Sequence, residues 1–148
     1  MSKCVSNNIM DYGLMVDSDV MIDSDSINSL GMYFCDEKNR NYEEAVKCFK
    51  KAALQGNLHG LFNLAWCYYE GFGVPQDYVC AFKLFNHLFD KGDSSALVAL
   101  GKCYLFGHGT EKNYYVALNF FQKADSLKLL NEKYKFYYET LLLVMLKN

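Results

Sequence analysis

The side chains able to do chemistry are few and scattered. The 148 residues include three histidines, His59, His87 and His108, and six cysteines. A zinc pair on a helix needs two ligands at i, i+4, and no two histidines have that spacing. No Gly-x-Ser-x-Gly elbow presents a nucleophile, and acid–base catalysis needs partners that converge, which these histidines give no sign of doing. The cysteines contain no Cys-x-x-Cys pair. Cys35, Cys48, Cys67, Cys80 and Cys103 each fall on an apolar position of a helical pattern, where a reduced thiol acts as a small hydrophobe. Gly71-x-Gly73 and Gly107-x-Gly109 resemble phosphate-cradling loops, but such a loop follows a strand and opens a helix, whereas these follow helical patterns. The expectation is a protein that is not an enzyme and has no metal or cofactor site.

The bulk numbers limit the partners. Apolar residues make up 51% and aromatics 16%, ample for one packed domain. Fifteen basic against seventeen acidic residues give a net charge of −2, so no electrostatic attraction to nucleic acid or an anionic membrane is expected. The first twelve residues hold no continuous apolar stretch, and the apolar run at 141–146 is far short of the roughly 20 residues that span a bilayer. The reading is a soluble, intracellular, cytoplasmic protein.

The elements that carry these residues repeat. Shifted by 36, the sequence falls on itself: Gly56 on Gly92, Leu64 on Leu100, Cys67 on Cys103, Tyr68 on Tyr104, Gly71 on Gly107, Gly73 on Gly109, Ala81 on Ala117 and Phe85 on Phe121. An earlier unit enters through Ala45, with Leu30-Gly31 displaced by 34 because its connector is two residues shorter. Within a unit, Gly60, Leu61, Leu64, Ala65 and Tyr68 form one stripe of a helix. Gly71 and Gly73 stop that helix and Pro75 confirms the break. Asp77 is a candidate N-cap for a second helix burying Ala81, Leu84, Phe85 and Leu88, and Asn113 takes the same place in the last unit.

Leu64-Ala-Trp-Cys-Tyr-Tyr-Glu-Gly-Phe-Gly-Val-Pro-Gln-Asp77 with Ala81, and Leu100-Gly-Lys-Cys-Tyr-Leu-Phe-Gly-His-Gly109 with Ala117, resemble the SEL-like repeat (SLR), a relative of the tetratricopeptide repeat. Lys51-Ala52-Ala53 with Gly56, and Lys123-Ala124, match its closing portion. Two departures stand out. The first unit turns through 36–41 without Gly-x-Gly, and Lys128 stands where the third unit should have its closing glycine, so that helix is expected to run on or bend. The resemblance implies an all-α fold, an α-α superhelix or solenoid of three helix-turn-helix repeats at 24–56, 57–92 and 93–127. It also implies a protein or peptide partner held by a scaffold or adaptor.

The ends differ from the repeats. Leu130, Tyr134, Tyr137, Tyr138, Leu141 and Met145 lie at helical spacing, so 128–148 is expected to be a capping helix, through which self-association is the alternative function. The acidic segment 1–23 has no convincing period and is expected to be poorly ordered, with a short helix at 9–15 as an option. In paired-helix arrays the first helix of each unit lines the binding side. Counting about 100° per residue, the outward residues are Asn28, Met32 and Asp36, then His59, Phe62, Asn63, Trp66 and Glu70, then Ser95, Val98, Ala99, Lys102 and Phe106. The candidate site is a groove centred on Trp66, the sole tryptophan, with Phe62, Val98 and Phe106 as apolar walls and Glu70 and Lys102 as polar selectors. The competing reading has Trp66 packing sideways into the core.

Overall fold

The computed structural model describes residues 22–147; the expectations for 1–21, including the helix at 9–15, lie outside them. Among the described residues there are seven helices and no strand: α1 (Ser24–Cys35), α2 (Tyr42–Leu54), α3 (Leu58–Glu70), α4 (Tyr78–Asp90), α5 (Ala96–Phe106), α6 (Tyr114–Ser126) and α7 (Glu132–Leu146). They form two compact units that divide within α4, after Leu84.

Asx side chains start nearly every helix. Asp23, Asn41, Asn57, Asp77, Asn113 and Asn131 each accept a hydrogen bond from the backbone N–H three residues on. Each bond satisfies one amide that the first turn would otherwise leave open. Helix α5 is the exception. The Ser95 N–H donates to Asp93 Oδ1 at 2.9 Å, while the buried Ser95 Oγ has no hydrogen-bond partner.

The glycines end the first helices as expected. Gly71 and Gly107 take φ of +76° and +73°, and each helix closes with two amides on one carbonyl, that of Cys67 or Cys103. The chain then doubles back. The amide of the next cap residue donates to a carbonyl in the last turn of the preceding helix: Asn41 to Phe34, Asp77 to Tyr68 and Asn113 to Tyr104, all at 2.8–2.9 Å. Gly73 does more than turn. A Cβ there would lie 2.2 Å from the Tyr42 carbonyl oxygen, so the loop rests directly on the first residue of α2.

Lys128 departs from expectation. Helix α6 ends at Ser126, 36 residues after α4 ends at Asp90, and does not run on. Lys128 adopts the left-handed conformation itself, at φ +57°, where Gly92 has +79°. A left-handed backbone costs a side-chain-bearing residue roughly 1–2 kcal/mol.

In the first unit, Ala45, Val46, Phe49, Leu64 and Cys67 form the core, with Phe34, Cys35, Tyr68, Val74 and Leu84 packed against it. Gly31 admits Phe49, whose ring edge lies 2.6 Å from where a Cβ would stand. In the second unit the core is Leu105, Ala117, Phe121 and Leu141, and Gly101 admits Phe121 in the same way. Phe49, Phe85 and Phe121 are spaced by 36 and are each at most 1% exposed. Burial of each stabilises by about 1.5–3 kcal/mol, so this aromatic is the repeat's main apolar anchor. Leu130, Tyr134, Tyr137 and Tyr138 attach α7 to the second core.

Candidate interaction surface

Helix α3 holds half of the candidate residues on one face. Phe62 and Trp66 lie one turn apart, edge to face at 6.0 Å, and Trp66 meets Tyr69 at 5.1 Å; Tyr69 in turn contacts Tyr78 at 5.0 Å. Tyr69 is buried, Trp66 and Phe62 are half-buried and Glu70 is exposed. Trp66 is thus braced by rings of its own helix while part of it stays open. Such a preset ring loses little conformational freedom on meeting a partner. Asn63 Nδ2 donates to Asn28 Oδ1 at 2.9 Å, joining outward positions of α3 and α1, and Met32 lies one turn beyond Asn28, exposed.

Buried Asn57 anchors this face from below. Its Oδ1 accepts the Gly60 N–H at 2.8 Å while its Nδ2 donates to Asp25 Oδ1 at 2.7 Å and Ser24 Oγ at 3.2 Å. One side chain therefore caps α3 and ties it to the start of α1. The role was not read from the sequence, although an Asx residue just before an apolar helical stripe was the available signal.

In the second unit the rotation count succeeds only in part. Lys102 is half-buried and Phe106 is 39% exposed, stacked on His108 at 5.6 Å and edge-on to Tyr137 of α7 at 5.8 Å. Val98 packs against the second core and Ala99 is 1% exposed, so neither points away from the protein as expected. The count assumed that α5 buries a single stripe. Seven of its eleven residues are buried, and Leu105 near its end shares a core with Leu141 of α7.

The remaining chemical candidates disperse. His59 is exposed, and His87 and His108 are half-buried. Among the described residues, no three His, Cys, Asp or Glu side chains come together to hold a metal. Cys35, Cys48, Cys67 and Cys103 are free thiols. Burial pushes Cys67 and Cys103 up to about 12 from an ordinary 9.0, which keeps them protonated and unreactive. Cys80 is fully buried in α4. No described helix is long and apolar enough to cross a membrane.

Comparison with known proteins agrees with this architecture. The model of the Sel1 repeat matches at residues 24–57, 58–93 and 94–124. The chain is similar to a protective antigen of uropathogenic Escherichia coli strains that displays an SLR fold (28% identity, TM-score 0.61). That match covers 80% of this chain and 29% of the antigen, so the chain spans less than a third of its length. It is also similar to a Sel1 repeat protein from Oxalobacter formigenes, at 26% identity and a TM-score of 0.64, covering 71% of this chain and 82% of the other. No curated protein matches the sequence. Sel1 repeat proteins are generally protein-interaction modules and typically non-enzymatic scaffolds. The three matched stretches take in more than half of the residues in unbroken succession, and the chain belongs to the Sel1 repeat family.

Proposed function

We propose that this protein is an adaptor that holds a peptide or a protein surface. Phe62, Trp66 and Glu70 on α3 form one set of contacts. Lys102 and Phe106 on α5 form another, with Val98 as their apolar base. The observation that carries the reading is Trp66, a half-buried tryptophan fixed edge to face by Phe62 and Tyr69. A tryptophan is rarely buried completely, and one held rigid by neighbouring rings while partly open suits an interface anchor. Glu70 and Lys102 add charges of opposite sign that select among partners more than they add affinity.

The test is affinity capture from host lysate with the wild type, Trp66→Phe, and a Trp66→Ala, Lys102→Glu double variant, each first shown to be helical by circular dichroism. A partner retained by the wild type, weakened by Trp66→Phe and lost by the folded double variant supports the adaptor. Identical partner profiles from all three proteins would remove Trp66 from the site.

A further inference from the structure

The outer face of α7 carries apolar side chains in an order that matches itself. Shifted by 36, α7 falls on α5: buried Leu141 on buried Leu105, Phe136 on Leu100 and Tyr137 on Gly101. Where α5 buries Leu97, Leu100 and Cys103, α7 has Lys133, Phe136 and Glu139, all exposed. Tyr137 also fills the place of the small residue that admits the repeat's phenylalanine in α5. This face is therefore unsuited to another helix of the repeat type. Yet Phe136 is 66% and Leu143 61% exposed, two full helical turns apart on one stripe. Glu132 and Lys147 extend that stripe at its two ends, both exposed and with no ion-pair partner among the described residues.

We propose that α7 pairs antiparallel with α7 of a second copy of this chain, about a two-fold axis passing between Glu139 and Thr140. Phe136 and Leu143 lie equally far on either side of that point, and so do Glu132 and Lys147. The two-fold axis therefore sets Phe136 of each copy on Leu143 of the other, and Glu132 of each copy beside Lys147 of the other. A two-fold contact must be self-complementary in this way, and a stripe with both charges at one end would not be. Glu139 of the two copies meets close to the axis, and this like-charge contact costs affinity. With one stripe of one helix buried, the dimer is weak, with Kd on the order of 100 µM. The pairing is independent of the adaptor reading and uses none of its residues.

Sedimentation equilibrium of the whole chain tests the pairing up to about 1 mM, well above the Kd expected for so small a contact. The wild type is expected to dimerise, and Phe136→Glu and Leu143→Glu to be monomeric with unchanged helicity, since both side chains are exposed. Glu139→Gln should tighten the dimer by about twofold, the scale of one surface charge pair. Glu132→Lys and Lys147→Glu should each weaken it, and the two together should restore it. A wild type monomeric throughout, association that survives Phe136→Glu, or a double charge exchange that fails to restore the dimer would each overturn the proposal.

Discussion

Replacing Gly73 by alanine separates two roles that a loop glycine can have. At φ +68° any L side chain costs about 1 kcal/mol, and at Gly56, with φ +83° and nothing within 4 Å of an added Cβ, that is the whole cost. At Gly73 the Cβ would also stand 2.2 Å from the Tyr42 carbonyl oxygen, 2.4 Å from its carbon and 2.8 Å from the Glu43 nitrogen. These are backbone atoms at the start of α2, so no rotamer change relieves the clash, and overpacking adds roughly 1–3 kcal/mol. Gly56→Ala should therefore lose about 1 kcal/mol and Gly73→Ala about 2–4 kcal/mol. With a urea dependence of about 1.5 kcal/mol per molar, the midpoints fall by roughly 0.7 M and 1.3–2.7 M respectively. Far-UV circular dichroism in urea reads both. Equal shifts would refute the claim that the loop is seated against α2, leaving only its turn conformation.

Three further outcomes follow from the helix caps and the thiols. Asn57→Ala removes the cap on Gly60 and the bonds to Ser24 and Asp25, and should cost about 2 kcal/mol in urea unfolding, whereas Asn113→Ala, which loses a cap alone, should cost about 1 kcal/mol. Cys67 and Cys103 are protonated in the folded protein up to about pH 12, while in the unfolded chain they ionise near 9.0. Their contribution to stability is complete below pH 9 and is lost as the pH rises toward 12, by on the order of 1 kcal/mol per pH unit for each thiol, which melting curves at pH 8 and pH 10.5 would reveal. Under native conditions at pH 8 a maleimide reagent should label Cys35 and Cys48 well before Cys67 and Cys103, as peptide mapping by mass spectrometry would show.

The repeat was legible because its small residues have no freedom to vary. Gly71, Gly73, Ala81 and their counterparts at 36 residues are fixed by turn geometry and close packing, so the pattern exposes both the helix pairs and their ends. The departure at Lys128 was misjudged, since a missing glycine does not prevent a lysine from taking the left-handed conformation when the neighbouring helix has already been positioned. The candidate surface was less legible. Rotation about one helix axis puts Phe106 where it is exposed but knows nothing of the other helices, so Val98 and Ala99 were put outside and buried Tyr69 was not singled out. Asn113 was placed as a cap by the repeat, whereas Asn41, Asn57 and Asn131 begin three further helices that the sequence had not given a cap.

The return bonds from Asn41 to Phe34, Asp77 to Tyr68 and Asn113 to Tyr104 join main chain to main chain. At the donor position itself only proline would remove such a bond, since no side chain takes part in it. Variation can accumulate on the helix faces without altering how one helix leads to the next, as the shared fold at 26% identity with the Oxalobacter formigenes protein illustrates. A lineage built on such joints can exchange what it recognises far more readily than how it is assembled.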